Sequence, residues 1–264
     1  MANRRPVVIV TGASRGMGAA AACWLGQAGA AVVMTARDQR SLADAADDVA
    51  ARGGDPLPLP ADVADPESCV RIVKEALGRF GRLDGLINNA GILEPVARAA
   101  AADRDAWRHN IEVNLMGPYY MTAAALEPLR EARGRIVNVS SGAAVNAVAG
   151  WSAYCAAKAG MTHFTRVLAA EEPDVTAISL RPGVVDTQMQ GVIREKGPGN
   201  MDPDKTDYFQ NLKAEGKLAP PEVPARSMAW LALRAPREWS GRFVEYDDPG
   251  ILDPARKMLG ESLR

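Results

Sequence analysis

Cysteine and histidine are both scarce in these 264 residues. The three cysteines, Cys23, Cys69 and Cys155, are odd in number and far apart, and no CxxC pair occurs. That excludes a disulfide framework and a cysteine-built zinc site. Only His109 and His163 offer an imidazole, and neither has neighbours at metal-ligand spacing, so no metal is expected. The chain also lacks an excess of either charge: 31 Lys and Arg against 32 Asp and Glu leave a formal net charge of −1. Nucleic acid is therefore not an expected partner, because displacing counterions from phosphates needs a basic surface. No apolar run is long enough to cross a bilayer, so no membrane span is expected. The first apolar stretch, Val7 to Val10, is too short for a signal-peptide core, which makes the cytoplasm the expected location. Gly and Pro are scattered, internal repeats are absent, and no linker divides the chain. A single domain over residues 1–264 is expected.

What the chain does have is alternation. Val7 to Val10 is followed by a helical stretch over Met17 to Gln27, then by Ala31 to Thr35. Gln39 to Ala51 carries Leu42, Ala45, Ala46 and Val49 at helical spacing. A short strand over Leu57 to Leu59 precedes a helix opened by Pro66, where the missing N–H costs nothing. Leu83 to Ile87, a long helical region over Asp105 to Arg130, Arg135 to Val139, a helix over Ser152 to Glu171 and Val175 to Leu180 continue the series. Continuous apolar strands separated by helices predict an α/β fold with a doubly wound parallel sheet and helices on both faces, of Rossmann type. Residues 188–220 are looser and predict a lid, with an amphipathic piece over Tyr208 to Leu218. Pro221 to Leu233 reads as a helix and Arg242 to Tyr246 as a last strand. A polar tail over 249–264 is expected to wrap the surface or fray.

Thr11 to Gly18, Thr-Gly-Ala-Ser-Arg-Gly-Met-Gly, lies between a strand and a helix. Backbone N–H groups must come close to a pyrophosphate at such a helix N-terminus, and side chains would obstruct them. The spacing G-x-x-x-G-x-G differs from G-x-G-x-x-G, so the turn could equally be a tight connection. Arg37 follows the second strand, 19 positions after Gly18, with a small neutral residue where an acid would bind ribose hydroxyls. With Arg15 it suits the 2′-phosphate of NADP(H) better than the ribose of NAD. Asp38 is read as a helix cap.

Tyr154 and Lys158, four apart on a helix, share one face. An ammonium about 4 Å from a phenol, at an effective dielectric of about 20, would lower its pKa by about three units. Lys158 is therefore expected to bring Tyr154 into a useful acid–base range. Ser140 and Ser141 end a strand at the carboxyl edge of the sheet, and the physics of the position does not choose between them. Asn114 lies within a helix, where Asn is unfavoured, and either bonds a backbone carbonyl or sits on a polar face. Asn88 to Gly91, Asn-Asn-Ala-Gly, reads as a turn or as a stretch against a ligand.

Together these segments resemble the short-chain dehydrogenase/reductase family over about the first 190 residues. Thr11 to Gly18 is similar to its TGxxxGxG turn, Asn88 to Gly91 to its NNAG, and Tyr154 to Lys158 to its YxxxK. Ser141, thirteen residues before Tyr154, has the spacing of the family's catalytic serine, which selects it over Ser140. The resemblance implies four catalytic residues. Tyr154 would donate the proton, Ser141 would orient the substrate oxygen, Lys158 would bind the nicotinamide ribose and tune Tyr154, and Asn114 would join a proton relay through water. It also implies contacts to NADPH/NADP+ from Gly12, Ser14, Arg15, Gly16, Met17, Gly18, Arg37, Asp62, Val63, Asn89, Ala90, Gly91, Tyr154 and Lys158. Pro182, Gly183, Val185 and Thr187 would meet the nicotinamide.

A narrower resemblance, to sepiapterin reductase and bacterial diketone-reducing members, rests on Ala36-Arg37, Glu171-Glu172-Pro173, Asp186 to Gln190, Leu212 to Leu218, Ser240-Gly241 and Val244-Glu245. It implies NADPH-dependent reduction of a ketone, diketone or pterin side-chain carbonyl, with Glu245 at the position of a pterin-anchoring acid. Alternatives are an NAD(P)-dependent secondary-alcohol dehydrogenase and a non-catalytic cofactor-binding regulatory protein. The resemblance also implies a homodimer or homotetramer through the helices of 105–130 and 152–171.

Overall fold

The computed structural model describes residues 5–263; residues 1–4 and residue 264 of the expected tail lie outside the described residues. Seven strands, β1 (Val7–Thr11), β2 (Ala31–Ala36), β3 (Asp55–Pro60), β4 (Gly85–Asn88), β5 (Arg135–Val139), β6 (Thr176–Arg181) and β7 (Phe243–Glu245), form one sheet. Its order is β3-β2-β1-β4-β5-β6-β7, and every neighbouring pair is parallel. The central strands are apolar on both faces because both are covered. Val8, Val10, Val32, Met34 and Ile178 pack in a core with α1 (Gly16–Gln27), α2 (Gln39–Ala51) and α9 (Glu222–Arg234). Val7, Ile9, Val33, Leu86 and Ile136 pack on the other face with α3 (Pro66–Phe80) and α5 (Gly117–Ala132). This is the doubly wound sheet that the alternation predicts. No helix among the described residues is long and apolar enough to cross a membrane.

The departures from expectation have local causes. β3 is longer than Leu57 to Leu59. Asp55 N donates to Ala30 O (3.2 Å) and Ala61 N to Ala36 O (3.0 Å). With a two-residue repeat, Pro56, Pro58 and Pro60 then fall on the side away from β2. The long helix expected over 105–130 is interrupted: α4 (Arg104–Ile111) runs into a π-helical turn, Glu112–Met116, before α5 begins. Residues 188–220 are largely helical, with α7 (Gln188–Lys196) and α8 (Pro203–Ala214), the latter opened by Pro203 rather than at Tyr208. Their Ile193 and Phe209, with Met201 between them, form a small core with Trp151, Tyr154 and Leu93.

The tail, expected to wrap the surface or fray, forms α10 (Pro249–Leu259). Ile251, Ala255 and Leu259, one turn apart, are buried. Gln27 Nε2 donates to Leu259 O (2.7 Å), and Arg226 Nη1 donates to Gly260 O and Glu261 O (3.0 Å each).

Candidate functional site

The turn after β1 is shaped by glycine. Gly12 (φ 64°) and Gly16 (φ 57°) adopt the left-handed conformation. A Cβ on Gly12 would stand 2.9 Å from Ala90 Cα, and one on Gly18 would stand 2.1 Å from Gly12 O. Gly18 therefore lets the first turn of α1 press onto the end of β1, beneath the cleft rather than in its wall. Asn89 ties the turn to β4: its Nδ2 donates to Thr11 O (3.0 Å) and Gly12 O (3.3 Å). The backbone N–H groups of Asn89 and Ala90 both donate to Thr11 Oγ1 at 3.0 Å.

Over the carboxyl ends of the strands runs a cleft of about 850 Å³. Of the expected residues, Gly12, Ser14, Arg15, Gly16, Met17, Arg37, Asp62, Val63, Asn89, Ala90, Gly91 and Thr187 line it. Arg15 and Arg37 are exposed and form no ion pair among the described residues. Asp38 accepts from Ser41 N (2.6 Å) as the cap of α2, and this bonding holds its carboxyl below the usual range. A cradle that any Cβ would fill, the N-terminus of α1 and two unpaired cations together fit a dinucleotide.

A second cavity, of about 560 Å³, adjoins the first; Met17, Asn89, Gly91, Thr187 and Met189 line both. Ser141, Tyr154, Lys158, Pro182, Gly183 and Val185 line the second. Ser140 Oγ is paired with Thr162 Oγ1 (2.6 Å), whereas the Ser141 hydroxyl accepts from Ala143 N (3.1 Å) and acts on the Tyr154 phenol, favouring its ionised form. Lys158 Nζ donates to Val139 O (2.8 Å) and stands 5.6 Å from the centre of the Tyr154 ring.

Burial pushes Tyr154 up to about 12, with the Ser141 hydroxyl opposing, and pulls Lys158 down to about 8. The expected lowering of the tyrosine by the lysine is not what this geometry delivers. The ammonium is itself desolvated and bonded to a carbonyl, so the cost of burying a phenolate is the larger effect.

Asn114 lies in the π-helical turn and is fully buried. Its Nδ2 donates to Ile92 O (2.8 Å), and its Oδ1 accepts from Ile92 N (3.2 Å). It lines neither cavity. Of the two options open for it, a backbone-bonded asparagine is the one observed. Its partner Asn110, one turn earlier and fully buried, escaped the sequence reading; two asparagines four apart were the available signal.

Glu245, expected as a substrate anchor, forms an ion pair at the carboxyl end of the sheet. The β6–β7 register sets it opposite Arg181, and its Oε1 accepts from Arg181 Nη1 at 2.8 Å. Its side chain is 54% exposed and lines neither cavity. The sequence reading also missed an aromatic wall. Trp151 is stacked on Phe209 (centroids 5.5 Å) and edge-on to Tyr154 (6.0 Å), with Tyr208 against Phe209 at 5.1 Å. All four line the second cavity.

Residues 6–198 match the family model for short chain dehydrogenases. An uncharacterised oxidoreductase of Schizosaccharomyces pombe is 35% identical over 242 residues, 91% of this chain and 96% of the relative. A benzil reductase ((S)-benzoin forming) of Bacillus cereus is 33% identical over 232 residues, 84% of this chain and 91% of the relative. The crystal structure of a short-chain dehydrogenase/reductase from Saccharomyces cerevisiae superposes with a TM-score of 0.88 at 33% identity, covering 94% of this chain and 98% of the other. With the glycine cradle, the Ser-Tyr-Lys cluster and the parallel sheet in place, the chain belongs to the short-chain dehydrogenase/reductase family of NAD(P)-dependent oxidoreductases.

Proposed function

We propose that the protein is an NADPH-dependent carbonyl reductase acting on ketones with flat apolar substituents, vicinal diketones foremost. The observation that carries this reading is the junction of the two cavities, with unpaired cations in one and the Ser141–Tyr154–Lys158 cluster in the other. The bound dinucleotide supplies the hydride. Ser141 holds the substrate oxygen next to Tyr154. With its pKa raised to about 12, Tyr154 keeps its proton at neutral pH and gives it to the oxygen as the carbonyl becomes an alcohol. Lys158, still largely charged at neutral pH, stands ready to balance the phenolate. The aromatic wall of Trp151, Tyr208 and Phe209 favours aryl groups, and the similarity to a benzil reductase supports the same class. A pterin is disfavoured because Glu245, outside the cavity lining, is already paired with Arg181.

NADPH consumption with benzil, aliphatic diketones, monoketones and pterins tests the substrate class. Arg37→Ala tests the cofactor. Loss of a charge-assisted contact to phosphate is worth about 1.5–3 kcal/mol, so the KM for NADPH should rise roughly 10- to 100-fold while that for NADH stays nearly level. Equal effects on both cofactors would remove Arg37 from recognition of the 2′-phosphate.

A further inference from the structure

We propose that Asn110 is a positioning residue. It locks residues 92–94 and the Asn114 amide into one buried unit, so that Asn114 Oδ1 is presented at Gly91, beside Lys158 Nζ.

The argument begins with three backbone carbonyls. Ile92 O, Leu93 O and Glu94 O surround one terminal atom of Asn110 at 3.2, 3.1 and 2.7 Å. A carbonyl oxygen only accepts, so that atom must be the amide nitrogen. The orientation of Asn110 is thereby settled, and its Oδ1 is turned toward Asn114. That oxygen also only accepts, so it selects the nitrogen of Asn114, found at 2.9 Å. Asn114 Nδ2 is held further by Asn110 O at 3.1 Å and by Ile92 O, which Asn110 itself grips.

The consequence falls on the remaining atom, Asn114 Oδ1. It accepts from Ile92 N and faces Gly91: a Cβ placed there would stand 2.7 Å from Asn114 Oδ1 and 3.6 Å from Lys158 Nζ. Lys158 donates one proton to Val139 O and has two more to place. A reversed Asn114 amide would turn N–H groups toward Gly91, which Lys158 Nζ also approaches, instead of an acceptor. Both asparagines are 0% exposed, so no bulk water compensates a wrong orientation. The π-helical turn starts two residues after Asn110, and the wider turn accommodates this paired arrangement.

This role rests on the proposed reading of Tyr154 and Lys158 as the proton-handling pair, and the test separates the two. Asn110→Leu keeps the approximate volume and removes every hydrogen bond. The first measurement is solvent exchange of the Asn114 side-chain amide protons by NMR, assigned by their loss in Asn114→Ala. Exchange should be slow in the wild type and at least about tenfold faster in Asn110→Leu. The second is a double-mutant cycle on benzil reduction at saturating NADPH. Asn110→Leu should lower kcat by about tenfold, leave the Kd for NADPH within about threefold, and have less than about a twofold effect in the Asn114→Ala background.

The pH midpoint of kcat should also move with Asn110→Leu and not with a remote destabilising variant. Additive kcat losses, an unmoved pH midpoint or unchanged exchange would overturn the role. A wild type inert toward every ketone would overturn the functional reading instead, leaving the exchange measurement to decide the positioning. If Asn110→Leu does not fold, Asn110→Ser, which leaves room for water, enters the same cycle.

Discussion

Tyr154 and Lys158 pull in opposite directions because both are buried. The phenol is driven up toward 12, the ammonium down toward 8, and neither shift is visible in the spacing that puts them on one helix face. Two outcomes follow at this scale. Tyr154→Phe retains the ring against Trp151 but has no proton to give; kcat should fall by about 10²–10⁴-fold, with NADPH affinity, read by fluorescence titration, close to the wild type. Wild-type turnover in that variant would take Tyr154 out of the chemistry.

Lys158 gives a stability signature. Its folded value lies below the ordinary 10.5, so between about pH 8 and 10.5 the unfolded chain holds the proton that the folded chain has released. Stability should therefore rise with pH across that window, by on the order of 3 kcal/mol relative to Lys158→Met, while below pH 8 the penalty is fully in force. Denaturant melts of both proteins at pH 7, 9 and 10.5 check the sign; a parallel pair of curves would contradict it. Tyr154 and Lys158 can be grouped from their spacing on one helix, whereas Ser141 is separated from Ser140 only by the family resemblance. Asn110 and Glu245 were not legible, because what they do depends on residues 92–94 and on Arg181, brought to them only by the fold.

At the scale of elements, the glycines divide into those the turn requires and those it does not. Gly18 has no room for a methyl group, since its Cβ would meet Gly12 O at 2.1 Å, whereas Gly78, exposed within α3, has nothing within 4 Å. Gly18→Ala should cost about 1–3 kcal/mol and weaken dinucleotide binding, and Gly78→Ala should add about 0.5–1 kcal/mol. Thermal melts of the two variants should move in opposite directions. The same contrast explains what periodicity reads well. Runs such as Val7 to Val10 and the stripe of α2 declare strand and helix by themselves. The π-helical turn is invisible to a 3.6-residue repeat, and the buried Asn110–Asn114 pair that accompanies it leaves no periodic signal. The charges of α10 likewise masked its three buried apolar residues.

The molecule as a whole presents an unburied aromatic and aliphatic strip on α5 and α6 (Ser152–Glu171). Tyr119 is 46% exposed and packs on Tyr120 and on Phe164, while Val167 is 40% exposed. These helices belong to the regions through which the family resemblance implies a homodimer or homotetramer, so light scattering at micromolar concentration should return at least twice the 28.0 kDa chain mass, and Tyr119→Glu should lower it. A monomeric mass for the wild type would count against that assembly. The sheet's two margins differ in character: β7 is only three residues long, while β3 is a six-residue strand with nothing paired beyond it among the described residues. A margin of that length is ordinarily a template on which a foreign chain can lay down its own strand. Proline at every second position leaves the outward side of β3 without donors at those three points, so an approaching strand finds carbonyls with no N–H groups to complete its ladder. Resistance to edge-to-edge pairing is thus written into Asp55 to Pro60 as an inability to be copied onto.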